Sequence, residues 1–241
     1  MPKLLNILGQ RPTYSGTDVW HWPLDEGTGT TAAERINAVD LTLYNTPTWG
    51  TNDSINGMQD ALAFNGTNEY ATRTSTILDM STVSVSVAAW VYISREGTGA
   101  NTVFGNLGGT DNKGFLISTE KDASTSNHKI TLTMIGSSSK AWPFTYLVPL
   151  NTWTHVVVTI NRPVSSYATI PGKLYINGAY YQEVGVGGTG LDSITPTDAA
   201  VVVGRAFGGN YLQGKLSDIW LFRNKVLTAS EVLELYKYLG D

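Results

Sequence analysis

The segment Val83 to Ile93 reads VSVSVAAWVYI, with Val83, Val85, Val87, Ala89, Val91 and Ile93 at every second position. Successive side chains of a strand point to opposite faces, so this spacing predicts a strand with one continuous apolar face and Ser84, Ser86, Ala88, Trp90 and Tyr92 on the other. An apolar sheet face has to be covered by another layer, which constrains the whole chain to a stacked β architecture. The same alternation recurs at Ile130, Leu132 and Met134, and at Val156, Val158 and Ile160 of a strand that begins near Trp153. Both are predicted to be half-buried strands.

From Trp20 onward the strand-like runs are bounded by Gly, Asn, Asp and Pro clusters at the spacing of an all-β sandwich. In KLYINGAYYQE, Asn177 and Gly178 stand between two β-prone runs, and both tolerate the positive φ that a type I′ hairpin turn requires. One helix is expected. Thr228 and Glu231 form a T-x-x-E capping box ahead of Val232, Leu233, Leu235 and Tyr236, and this helix is expected against one edge of the sandwich. At 241 residues, with 7 Trp and 12 Tyr, the chain suits a single large sandwich.

The formal charge of -4 and the lack of a basic stripe argue against nucleic-acid binding. The absence of cysteine removes disulfides and thiolate metal sites. No apolar run is long enough to span a bilayer. The opening MPKLLNILGQRPTYSG has only a short apolar stretch, Leu4 to Leu8, so no signal peptide is expected and export by the general pathway is not. Pro2, Gly9, Pro12 and Gly16 punctuate residues 1–17, which read as an N-terminal arm ahead of a domain over 18–241. The arm is either a strap across its own sandwich or an element that docks on a neighbouring subunit.

Six segments in order, WHWPLDEGTGTTA, ALAFNGTNEYATR, VSVAAWVYI, NTWTHVVVTIN, KLYINGAYYQE and VVVGRAFGGNYLQGKLSDIWLFRNKVLTASEVLELY, resemble the laminin G-like jelly rolls of the concanavalin A-like lectin/glucanase superfamily. The resemblance runs from about Val19 to Leu239. It implies an all-β, concanavalin A-like (laminin G-like) jelly-roll sandwich of two antiparallel sheets with one short C-terminal helix. Function does not follow from it, because this fold hosts lectins, adhesion modules, glycanases, lyases and capsid proteins. The resemblance also implies a structural Ca²⁺ held by oxygen ligands, carried over to Asp25, Asn68 and Asp218. The alternative is that Asp25 and Asp218 bind backbone amides at strand ends. The chain departs from many relatives at Trp220, Ser217 and Glu34.

Glycanases of this fold present two carboxylates from one strand, as in E-x-D-x-E, because alternate residues face the same cleft. The chain contains no such run, and its glutamates are scattered, so a non-catalytic protein is expected and a glycan-active enzyme is the minor alternative. His155 and His21 read as hydrogen-bonded structural imidazoles, and His128 as part of the polar loop after Ser124 to Asn127. The run GRAFGGNYLQG lacks the Lys-Ser/Thr ending of a phosphate loop and reads as a rim turn.

Sugar recognition needs aromatic faces ringed by polar groups. The candidates are Trp142, Phe144 and Tyr146 on one strand, Tyr181 of the hairpin (with Tyr180 beside it), and Phe207, Asn210 and Tyr211 of the Gly-rich loop. Aromatic triplets at period two also occur as core, so each cluster has both readings. Two functions are expected from these features. The first is a structural or decorating subunit on the surface of a bacteriophage virion, docking on other virion subunits or on itself through the arm and displaying a surface for cell-surface glycans. The second is an extracellular carbohydrate-binding module.

Overall fold

The computed structural model describes residues 14–55, 58–75, 77, 83–94, 99–106, 113–136, 139–162, 170–186, 194, 200–206 and 209–237. Its strands are β1 (Val19–Trp22), β2 (Thr31–Ala32), β3 (Leu41–Tyr44), β4 (Thr48–Ile55), β5 (Met58–Asn65), β6 (Tyr70–Thr74), β7 (Val85–Ile93) and β8 (Ala100–Gly105). They continue with β9 (Gly114–Lys121), β10 (His128–Ile135), β11 (Ser139–Val148), β12 (Thr154–Ile160), β13 (Ile170–Ile176), β14 (Ala179–Val186), β15 (Ala200–Val203) and β16 (Gln213–Arg223). The chain closes with the helix α1 (Ala229–Lys237).

The strands form two antiparallel sheets, the jelly-roll sandwich that the sequence predicts. The first sheet runs β14-β13-β12-β7-β16-β5-β4, with β1 also paired to β16. The second runs β11-β10-β9-β8-β15-β6-β3-β2. Val85, Val87, Ala89, Val91 and Ile93 of β7, Val156, Val158 and Ile160 of β12, and Ile130, Leu132 and Met134 of β10 all lie in the core between the sheets. The predicted faces are therefore correct. The prediction of half-burial is not, for β12, which is buried on its outer face too; so is β7, where Tyr92 alone is partly open.

The reason is a second apolar layer outside the first sheet. Ala88, Val157, Tyr175, Trp220 and Phe222 point outward and are covered by Leu227, Val232 and Leu235. The helix expected at an edge of the sandwich thus lies on the outer face of the first sheet, because its apolar stripe meets an apolar stripe there. Tyr14, within the expected arm, joins this layer edge-on to Trp220 and Phe222, with ring centroids 5.7 and 4.8 Å away. Burial, with Glu231 and Glu234 nearby, pushes its phenol up to about 12. Residues 1–13, which carry most of that arm, lie outside the described residues.

The capping box forms as predicted: Thr228 N donates to Glu231 Oε2 at 2.8 Å and Glu231 N to Thr228 Oγ1 at 3.3 Å. Asn177 and Gly178 link β13 to β14 with φ of 49° and 80°, the left-handed pair expected of the hairpin.

Candidate functional site

One end of the second sheet carries an aromatic rim. In β3, Leu41 and Leu43 are buried, so the alternating Tyr44 faces outward, where it is 43% exposed. Strand pairing sets Tyr44 directly opposite Tyr70 of β6. Their rings stack, with centroids 4.8 Å apart and planes within 2°. Because β15 is antiparallel to β6 and ends at Val203 opposite Ala71, the residues after it continue beside Tyr70. Arg205 Cζ sits 3.9 Å from the centroid of that ring. Tyr211 approaches Tyr70 at 6.4 Å.

The loop carrying Arg205 and Tyr211 is fixed by the backbone. Arg205 and Tyr211 pair as an isolated bridge, Leu212 N donates to Gly204 O at 2.9 Å, and Thr102 Oγ1 donates to Asn210 O at 2.8 Å. Gly204 has φ of 78°, and a Cβ there would come within 2.8 Å of the Phe64 ring, so the loop needs glycine at its root. The neighbouring turns brace each other: Asn45 Nδ2 donates to Asn68 O at 2.7 Å, and Asn65 Nδ2 to Asn68 Oδ1 at 3.0 Å. Glu69 turns away from the rim and accepts from Asn65 N at 2.7 Å; burial raises its carboxyl above the ordinary value.

Two strands further along the same end, Gly99, Ala100, Glu120, Lys121, Asp122 and Ala123 line an open cavity of about 460 Å³. Asp122 is bonded by Lys129 and Ser124, which hold its carboxyl well below the usual range. The rim therefore combines an exposed tyrosine face, a fixed guanidinium, the exposed Asn210 and, at the same end of the sheet, a cavity lined in part by Glu120, Lys121 and Asp122. That is a surface for stacking and hydrogen bonding to a polar ligand.

Of the residues expected to bind sugar, the structure brings Asn210 and Tyr211 to this rim. Phe207 lies outside the described residues, and so does the side chain of Trp142. Phe144 is fully buried in the core, so it packs instead of presenting a face to a ligand. Tyr146 and Tyr181 meet edge-on at 5.1 Å at the seam between the outer strands β11 and β14, where Thr145 N also donates to Gln182 Oε1 at 2.8 Å. Tyr44, Tyr70 and Arg205 escaped the sequence reading. The LTLY alternation places Tyr44 outward, but its partner across the sheet is set by a register that no local pattern reveals.

The residues carried over as calcium ligands do not make a cage. Asp25 Oδ1 accepts from Arg35 Nη2 at 2.7 Å. Asn68 belongs to the rim turn, whereas Asp218 lies five residues along β16 from the Gln213 that pairs with Asn65, roughly 16 Å at about 3.3 Å per residue. Asp218 occupies a bulge at φ of 51°, and its Oδ1 accepts from His21 Nε2 at 2.6 Å and Trp220 Nε1 at 3.1 Å. Among the described residues no three His, Asp or Glu side chains gather as metal ligands. Asp25 and Asp218 Oδ1 are engaged by the chain's own groups and Asp218 stands far from Asn68, which does not fit one hard cation needing six or more oxygens. Glu34 takes a structural role, accepting from His21 N, Ile36 N and Asn37 N.

The histidines differ in part from expectation. His21 is hydrogen-bonded as predicted, stacking on Trp220 at 3.8 Å. His128 opens β10 and is fully buried instead of lying in a loop. His155 is structural but lacks the predicted bonds, since neither ring nitrogen has a hydrogen-bond partner among the described residues.

A family profile described as the concanavalin A-like lectin/glucanases superfamily matches residues 65–233. No curated protein sequence matches the chain. Among solved structures, domain 4 of a GH43 extracellular arabinanase from Geobacillus stearothermophilus, in complex with arabinotriose, is 16% identical with a TM-score of 0.61, covering 90% of this chain and 97% of that one. The binding domain of botulinum neurotoxin DC, in complex with rat synaptotagmin II, is 14% identical with a TM-score of 0.63 over 92% of this chain and 52% of that one. A Trypanosoma rangeli sialidase is 19% identical with a TM-score of 0.62, over 90% of this chain but 32% of its own. The chain thus spans about half of the toxin domain and a third of the sialidase. At these identities the likeness is one of fold. With the profile covering most of the chain, and the two-sheet sandwich in agreement, this protein belongs to the concanavalin A-like lectin/glucanase superfamily.

Proposed function

We propose that this protein is a non-catalytic carbohydrate-binding domain whose ligand stacks on Tyr44 at the rim of the second sheet. The observation that carries the reading is the stacked Tyr44–Tyr70 pair, exposed on one side and fixed by Arg205 on a braced loop. Rigid aromatic surface held in place before binding loses little entropy when a sugar docks. The fold neighbour solved with arabinotriose makes arabinan oligosaccharides a suitable first probe.

Several carboxylates are engaged by the chain's own groups, which supports a binding role over a catalytic one. Glu26 accepts from Ala33 N, Glu34 from loop amides, Glu69 from Asn65 N, and Glu231 caps the helix. Glu183 lies 3.5 Å from Lys173. The setting in which the domain is displayed, on a virion through residues 1–17 or in an extracellular system, turns on an arm whose residues 1–13 lie outside the described residues.

The test is a printed glycan array followed by calorimetry on the wild type and Y44A. Truncating the exposed ring is expected to weaken binding at least about tenfold, the equivalent of ~1.4 kcal/mol, with an unchanged melting curve. Undiminished binding by Y44A would remove the rim from consideration.

A further inference from the structure

Several bases of this chain are paired with acids. Arg35 bonds Asp25, Arg223 lies 3.3 Å from Asp18, Lys129 pairs with Asp122, and Lys225 with Glu231. Arg205 has no acidic partner among the described residues, in a chain whose net charge is -4. Glu69, next to Tyr70 in sequence, is turned to the Asn65 amide. The guanidinium instead rests over the Tyr70 ring. A cation stacked on an aromatic face spends its face on the ring and keeps its N–H donors, which lie in its own plane, for other acceptors.

That arrangement matches one ligand chemistry better than others. A guanidinium fork fits the two oxygens of a carboxylate, and charge-assisted hydrogen bonds are about twice as strong as neutral ones. The backbone bridge between Arg205 and Tyr211 and the bond from Thr102 to Asn210 hold the loop before any ligand arrives. We infer that the rim selects oligosaccharides that carry a carboxylate, with Arg205 bonding the acid group of one unit on its side of Tyr70 while a neighbouring unit stacks on Tyr44. The inference rests on the carbohydrate-binding reading above and narrows it to acidic glycans.

Pairs of glycans that differ only in charge test it. The probes are oligogalacturonides against their methyl esters, and sialyllactose against lactose, titrated calorimetrically into the wild type, R205Q, R205K and Y44A. The wild type is expected to prefer the acidic member of at least one pair about tenfold or more, with the preference shrinking as salt is raised. R205Q should lose that preference, binding the two members of a pair equally, R205K should retain only part of it, and Y44A should weaken both members. Equal binding of both members by the wild type would overturn the charge selectivity and leave the carbohydrate reading standing. A preference that survives in R205Q would overturn the role of Arg205. Binding of neither member of any pair would overturn the acidic-sugar inference, and a blank array of neutral and acidic glycans would overturn the carbohydrate reading itself. The salt dependence of the wild type reads out charge recognition without any variant having to fold.

Discussion

His155 lies between Trp90 and Tyr236, with ring centroids 5.2 and 5.8 Å away, and is completely buried. Burial pulls its pKa from 6.5 down to about 4, with the Asp218 charge acting in the opposite direction. The native state thus holds it neutral while the unfolded chain takes up a proton, so stability is lost as pH falls from about 6.5 through 4. Over that window the loss approaches about 3 kcal/mol. Urea midpoints measured at pH 7 and pH 4.5 should show the drop, and H155L should flatten it; an equally steep fall in H155L would assign the effect elsewhere. Asp218 gives a second prediction at this scale. Removing its carboxylate in D218A leaves buried His21 and the Trp220 indole without their acceptor, which should cost about 3–5 kcal/mol in chemical unfolding. Because Asp25, Asn68 and Asp218 do not converge on one point and Asp25 and Asp218 Oδ1 are taken up by Arg35 and His21, EDTA should leave the thermal midpoint unchanged; a drop reversed by Ca²⁺ would restore the ion to this site.

Among the elements, the β13–β14 hairpin and α1 act as one unit. The turn at Gly178 lies against the Tyr236 ring, where an added Cβ would come within 2.8 Å. G178A combines that clash with a left-handed backbone and should destabilise by about 2 kcal/mol or more. T228A removes one half of the capping box and should cost about 1 kcal/mol. Both are read from thermal or urea unfolding, and a G178A protein as stable as wild type would mean that helix and turn are not packed together. These elements were legible in the sequence because the I′ turn and the capping box are local: Asn177-Gly178 and Thr228…Glu231 each span a few residues. Where the helix docks was not legible. Its apolar stripe says that it must cover something, but only the assembled sheet shows that Trp220 and Phe222 form the patch it covers.

At the scale of the molecule there are two apolar layers, one between the sheets and one outside the first sheet. Deleting residues 228–241 would bare Ala88, Val157, Tyr175, Trp220 and Phe222 together. The shortened protein is expected to bind the dye ANS, to melt at lower temperature and to associate, since large exposed apolar patches are rare on stable monomers. A shortened protein that stays dye-free and melts as wild type would show that the outer layer contributes nothing to stability.

The inward faces of β7, β10 and β12 follow from the sequence alone, because period-two alternation is a property of a single strand. So do the hairpin turn, the helix cap and the family resemblance, which rest on short contiguous segments. The rim does not, because Tyr44, Tyr70 and the loop of Arg205 and Asn210 come from three separate stretches of chain that only strand register brings together. The fate of Phe144 and Asp218 is decided at the same level. An aromatic at period two is core or platform according to which sheet face it meets, and an aspartate is a metal ligand or a histidine partner according to what its bulge turns it toward. Local pattern fixes the direction in which a side chain points along its strand, and only the tertiary structure decides what stands opposite.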